Sequence, residues 1–513
     1  MPVRRLLAAL LLTVTSACSA APTTVSPSPS AVLAADRIQL LHTDDIHGRL
    51  DSDIVGGGTA SFTSGGMATL ASLVARQRAR APERTLLVDG GDAWQGTFIS
   101  NANKGAAVTQ AMSLMKYDAL AVGNHDFDWG QDVLAQRTTE ASFPFLATNV
   151  VDAKGKLPTY LKPYIVKDLG IAKVGILGIT NPQGNTIIKA SSVTGLTFLP
   201  PAKAIQPFLS ELQKLADIIV VVAHIGSADA ARLARDVPGI DVIVAAHDHT
   251  PLQTARVEGR TTIVDAGAYT QYLGRLDMIV DPATHKMKDA VRAGELIPIA
   301  ASNTVTPDPE IGAIVEAHKS EAAKYTSRIV GTIQSDLDAP RDESGLGNMI
   351  TDAFVAYGRQ MGWNTDVAFY NAAGVRAPLK AGPVTYGQLY EVLPFGNTIV
   401  NVDLTGDQLR GVLEDASGSA GRLQIGGGSW VYRFTNSAGS RVLDATIAGQ
   451  PLDPKRIYHV ATIDYLLLGG DGHTWFGKGT NVIYGDIEVD AVAAYMTAHS
   501  PLDPKVEGRI VAQ

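Results

Sequence analysis

Five short polar clusters in the first half of the chain carry side chains able to hold metal and move protons. They are Asp45-Ile46-His47, Gly90-Gly91-Asp92, Gly123-Asn124-His125-Asp126-Phe127-Asp128, His224 and His247-Asp248-His249. Together they offer carboxylate oxygens, one amide oxygen (Asn124) and imidazole nitrogens, a mixture that suits divalent ions of intermediate hardness such as Mn, Fe, Co or Zn. Two such ions roughly 3.5–4 Å apart need a shared carboxylate to hold them. Asp92 suits that task, because the preceding glycines let backbone and metal approach closely. Any one cluster alone also fits ordinary turn chemistry with a helix cap. Five of them in one half of the chain, holding five of its eleven histidines, do not.

Each cluster follows an apolar run. Residues 38–41, 85–88, 119–122, 218–223 and 241–246 read as buried strands, and 173–179 as a further one. Helical spacing over 67–80 and 201–216 alternates with them, which predicts a layered α/β domain. Polar residues at strand ends are where open α/β sheets bind ligands, so all five clusters can converge on one rim. Thr306-Pro307-Asp308-Pro309-Glu310 stops one unit and starts an amphipathic helix to about Tyr325. The expected organisation is a first domain over 37–300, a linker helix over 301–327 and a second α/β unit over 328–513.

At 513 residues, 45% hydrophobic and 18% charged, the chain can build two or three cores. Mean hydropathy is +0.08. A net charge of −8 argues against a general nucleic-acid or anionic-membrane surface, so an anionic substrate must be attracted locally. The single cysteine, Cys18, follows Arg4-Arg5, an apolar run over 6–14 and Ser16-Ala17. This resembles a bacterial lipoprotein signal over 1–17, with Cys18 as the lipidated new N-terminus and 18–36 as a Pro/Ser/Ala-rich tether. The alternative is plain secretion with cleavage near 32–35. Both place the protein outside the cytoplasm, in the periplasm or at the cell surface, touching membrane only through Cys18.

The clusters together resemble the metallophosphoesterase signature, in the form of the bacterial 5′-nucleotidase and UDP-sugar hydrolase family, over nearly the whole chain after the leader. The resemblance implies a sandwich of two sheets flanked by helices, followed by a smaller α/β substrate-binding domain. It implies two divalent ions, one on Asp45, His47, Asp92 and His249, the other on Asp92, Asn124, His224 and His247. His125 would bind no metal. It would stabilise the phosphoryl transition state or assist the leaving group, oriented by Asp128. Asp44 stands where the family commonly has Asn, and Asp248 where it has Ser or Thr, so both are expected to add negative charge. His42 lies outside the ligand pattern and is expected to support or pack.

In the second half, Asn371-Ala372-Ala373-Gly374-Val375-Arg376 resembles the family's anion-binding turn, with two glycines replaced by alanine. By the same resemblance Arg376 and Asn371 hold phosphate, Phe395 and Tyr465 sandwich the base, and Asp471 binds ribose hydroxyls. Arg341 adds a charge one place from the family's arginine. The expected activity is release of phosphate from nucleoside 5′-monophosphates, extending to di- and triphosphates or nucleotide sugars. The rivals are a 2′,3′-cyclic phosphodiesterase/3′-nucleotidase or a pyrophosphatase on the same scaffold, and an exported nucleotide-binding protein with a decayed site. Seven intact ligand positions argue against the last.

Overall fold

Strands that are apolar on both faces must be covered on both, and that requirement sets the architecture. The computed structural model describes residues 32–55, 62–188, 190–291, 294–300 and 305–513. The leader, Cys18, most of the tether and residues 301–304 lie outside the described residues.

The first half holds two facing six-stranded sheets. One runs in the order Gly294–Pro298, Tyr272–Ile279, Arg37–Thr43, Thr85–Asp89, Ala119–Ala121, Phe145–Leu146. The other runs Arg256–Glu258, Thr261–Val264, Val242–Ala245, Ile218–Ala223, Lys173–Ile179, Tyr164–Asp168. Their central strands are parallel and the edges antiparallel, except that the edge strand Phe145–Leu146 is parallel to Ala119–Ala121.

Alternation along each strand assigns the layers. Ile38, Leu40, Ile218, Val220 and Val222 meet between the sheets. Leu41, Leu87 and Leu120 face the helices Gly66–Arg78 and Ala106–Leu114. On the far side Ile219 and Val221 face Pro201–Leu212 and Ser227–Asp236. Full burial contributes roughly 1.5–3 kcal/mol for each such side chain. The helix expected over 201–216 stops at Leu212. The chain must turn there so that Asp217 N–H can reach the Lys173 carbonyl (2.8 Å) and start the next strand.

The helix Pro309–Thr326 is capped by Asp308, whose Oδ1 accepts from Glu310 and Ile311 N–H, both at 3.0 Å. Its Ile311 and Val315 are buried in the first half's own core, so it is part of that core rather than a free spacer. Beyond it, Val367–Asn371, Ile457–Ile463 and Thr398–Thr405 centre a five-stranded sheet, packed by Gly345–Gln360 and Glu488–His499 around a separate core. The halves are docked. Asn101 Nδ2 donates to the Pro394 carbonyl at 2.8 Å, Phe98 and Tyr390 meet edge to face at 5.0 Å, and Arg49 pairs with Glu391 at 3.4 Å. Among the described residues, no helix is long and apolar enough to cross a membrane.

Glu488 anchors the turn that carries Phe395. Fully buried, its carboxyl accepts from Asn397 Nδ2 (3.1 Å) and Asn397 N–H (3.3 Å). Burial pushes its pKa from 4.5 up to about 8, against the lowering effect of Tyr370 and Asn397. Between those values the folded chain keeps a proton that the unfolded chain has released, so stability falls as pH rises through the window. Glu488→Gln mimics the protonated carboxyl. It should flatten the fall in melting temperature between pH 5 and 8 and melt several degrees above the wild type at pH 8. An unchanged slope would contradict the assignment.

Candidate active site

The five clusters do converge, at the C-terminal ends of strands from both sheets rather than on the rim of one. The sheets approach closely there because of glycine. A Cβ on Gly90, after a strand of the first sheet, would lie 2.6 Å from the Ala246 Cβ, which follows a strand of the second. Among the described residues, two groups have ligand atoms mutually within 4.8 Å: Asp45, His47 and His249, and Asp92, His224 and His247.

Backbone donors orient the carboxylates. Asp45 Oδ2 accepts from His247 N–H at 2.8 Å, leaving the buried Oδ1 without a hydrogen-bond partner, 3.3 Å from His249 Nε2. Asp92 Oδ1 accepts from His125 N–H at 2.7 Å, while Oδ2 lies 3.1 Å from His224 Nε2 and 4.0 Å from His47 Nε2. Asp92 therefore stands between the two groups with one oxygen free of backbone. Asn124 Oδ1 is 3.2 Å from His224 Nε2. His47 Nδ1 donates to the Gln95 carbonyl (2.7 Å) and His224 Nδ1 to that of Gly90 (2.9 Å), so each turns Nε2 inward, as outer hydrogen bonds do for metal-binding histidines.

The donor set fits a pair of divalent cations. His47 and His249 bring Nε2 atoms to 3.1 Å of each other, so both nitrogens face the same spot beside Asp45 and Asp92, as two ligands of one cation would. Burial and then His249 hold His47 well below the usual histidine range; burial and then His224 bring His247 down to about 4. Burial would also lower His224, but Asp92 and Asp45 outweigh it and raise it to about 10, so the site draws positive charge to that spot. Asp45, His47, Asp92, His247 and His249 all have positive φ, between 50° and 96°. Left-handed backbone costs of order 1–3 kcal/mol at each non-glycine residue and gathers at functional sites.

Sequence reasoning assigns no role to Asp126, yet it ties two motifs together. Its carboxylate accepts from the N–H groups of Asp92, Ala93 and Gly123 at 2.9–3.0 Å, and burial followed by Asp92 raises its pKa to about 7. Its place beside three proposed ligating or catalytic residues was the available signal. Asp44 is buried and bonded to His42 Nδ1 (3.0 Å) and Ala266 N–H (2.6 Å), so His42 is its support. Asp248, expected to add charge at the site, turns outward instead to Ser227 N–H and Oγ at 2.8 and 2.9 Å, across the start of a helix.

His125 Nδ1 meets Asp128 Oδ2 at 2.9 Å. Burial would lower its pKa, but Asp128 and Asp92 outweigh that and keep the imidazole protonated above its ordinary range. The second half closes over it. The Phe395 ring is 5.4 Å from that of His125, and Arg376 lies 3.4 Å from the Tyr269 hydroxyl, with Asp92 and Asp45 acting on its charge. Phe395 and Tyr465 line one cavity. The Tyr465 hydroxyl, however, donates to Asp471 Oδ1 (2.8 Å) and accepts from Asp471 N–H (3.2 Å), so it is committed to that loop. Asn371 Nδ2 donates to Asp471 Oδ2 at 2.8 Å, leaving its buried Oδ1 as the polar atom without a partner. Arg341 is exposed and lines a different cleft, sharing only Arg376 with the central cavity.

Comparison with known proteins agrees with this geometry. The family described as "Calcineurin-like phosphoesterase" matches residues 38–251, and "5'-nucleotidase, C-terminal domain" matches residues 326–478. The human protein named 5'-nucleotidase is 30% identical, covering 96% of this chain and 94% of its own. Snake venom 5'-nucleotidase of Crotalus adamanteus is 29% identical, covering 94% of this chain and 90% of its own. The crystal structure of a 5'-nucleotidase precursor from Thermus thermophilus superposes with a TM-score of 0.84 at 30% identity, over 93% of this chain and 99% of that one. The chain belongs to the 5′-nucleotidase family, hydrolases that join a metallophosphoesterase domain to a 5′-nucleotidase C-terminal domain.

Proposed function

We propose that the protein hydrolyses nucleoside 5′-monophosphates, using both halves at once. One observation carries the reading. Asn124, His125 and His247 share a single cavity of about 460 Å³ with Arg376, Phe395, Tyr465 and Asp471. That volume lies in the range of small-molecule sites, and its lining runs from phosphate-type chemistry to an aromatic groove.

In this reading Asp45, His47, Asp92 and His249 hold one divalent cation, and Asp92, Asn124, His224 and His247 the other. Bound there, the pair would supply an activated water and neutralise charge on the phosphoryl oxygens. Arg376 fixes the phosphate from the opposite side, and its rigid fork suits that geometry. His125, protonated through Asp128, offers Nε2 to a phosphoryl or leaving oxygen where charge develops. Phe395 and Tyr465 present ring faces to the base, while Asp471, with its oxygens already spread between Asn371 and Tyr465, is poised for ribose hydroxyls.

Phosphate release from a panel of nucleoside 5′-monophosphates, 2′,3′-cyclic nucleotides, nucleotide sugars and p-nitrophenyl phosphate tests the substrate class. The 5′-monophosphates should be preferred. In Phe395→Ala the ratio of kcat/KM for AMP over p-nitrophenyl phosphate should fall about ten- to a hundredfold, the scale of one lost base stack. Preference for cyclic nucleotides or nucleotide sugars would transfer the activity to a rival on the same scaffold.

His125→Ala should lose about 10²–10⁴ in kcat while elemental analysis still finds the wild-type metal content. Asp128→Asn should show a smaller loss of the same kind. Stripping of metal by His125→Ala would show that the imidazole is a ligand rather than a proton donor.

A further inference from the structure

The central cavity has an apolar wall that comes from the metal-binding half. Besides the polar groups Asn124, His125, Asp128 and His247, that half contributes Trp129 and Ile187 to the lining. Both side chains are half-buried and rest on the first half's core, so they are held in place while keeping a face toward the cavity. The segment that carries Trp129 is braced on both sides. Ser192 Oγ donates to the Asp128 carbonyl at 3.1 Å, and Gln131 Nε2 to that of Thr194 at 3.0 Å. The short helix Gly184–Ile187 also packs against the turn Gly470–Gly472, which carries Asp471. An apolar wall from the first half thus lines the same cavity as the aromatic groove of the second.

We propose that Trp129, with Ile187 beside it, is a specificity-determining wall of the nucleoside site, supplied by the metal-binding half. The inference rests on the nucleotidase reading above. Phe395 and Tyr465 belong to one half and Trp129 to the other, so a nucleoside touches all three only when the halves are docked. A phosphate ester without a base gains nothing from the wall. Binding energy from the base is thereby used to bring the phosphate to the reacting groups, the usual way remote contacts raise turnover.

The test compares Trp129→Ala, Trp129→Phe and Ile187→Ala in the metal-loaded full chain, with Phe395→Ala as reference. Trp129→Ala should lower the AMP to p-nitrophenyl phosphate ratio of kcat/KM about ten- to a hundredfold, with Ile187→Ala a smaller fall in the same direction. Trp129→Phe, which keeps an aromatic face, should restore most of the ratio. Tryptophan fluorescence supplies a readout apart from turnover: adenosine should quench the wild type, and Trp129→Phe should lose that quenching. Equal loss on both substrates in Trp129→Ala, or full adenosine quenching in Trp129→Phe, overturns the wall while leaving a Phe395 effect intact. If Phe395→Ala also leaves the ratio unchanged, the nucleotidase reading itself fails, which is a separate result.

Discussion

The structure depends on keeping a dense group of carboxylates dry at the meeting of two sheets. Asp44, Asp45, Asp89, Asp92, Asp126 and Asp265 are all buried within a few strand ends of one another. Buried charge costs several kcal/mol per group unless it is paired, and the rim meets that cost in two ways. Asp89 and Asp126 are raised toward the protonated form, chiefly by burial, and serve the backbone as hydrogen-bonded ties. Asp45 and Asp92 go the other way: histidines overcome the effect of burial and hold both below the usual carboxylate range. The same two residues adopt left-handed backbone and keep one oxygen clear of backbone donors. A fold that concentrates charge and strain on those atoms is arranged around cations.

The second half acts by proximity to this centre. Arg376 and Phe395 reach the metal-binding half through a contact built from Asn101, Tyr390, Phe98 and the Arg49–Glu391 pair. The Phe395 turn is in turn fixed by Asn397 on Glu488, deep in the second core. Rigid positioning of the aromatic groove and of the metal ligands thus comes from separate cores. The cavity between them is where the two are brought together.

Much of the candidate site was legible because the residues that could hold metal follow apolar runs. The buried strands ending near Asp45, Asp92, Asn124, His224 and His247 leave little choice but to present those side chains at strand ends. The strand Tyr272–Ile279 and the edge strand Tyr164–Asp168 were not legible, since their alternate exposure resembles many solvent-facing segments. Nor could the pattern show that the clusters sit on two sheets, because strand order is decided by long-range pairing. Asp126, Tyr269 and Trp129 took their places from tertiary neighbours: three backbone donors, an arginine from the other half and a cavity wall. Asp248 shows the converse, a charge placed correctly in the chain but turned away by the helix start beside it.

Asp92, with one oxygen clear of backbone donors, would hold both divalent ions at once. Asp92→Asn keeps the shape and the acceptor for His125 N–H but removes the bridging charge. Elemental analysis of the purified full chain, after dialysis against a weak chelator, measures the consequence directly. About two tightly held divalent ions per wild-type chain are expected, with tight binding lost at both positions in the variant. Two tightly held ions in Asp92→Asn would contradict it.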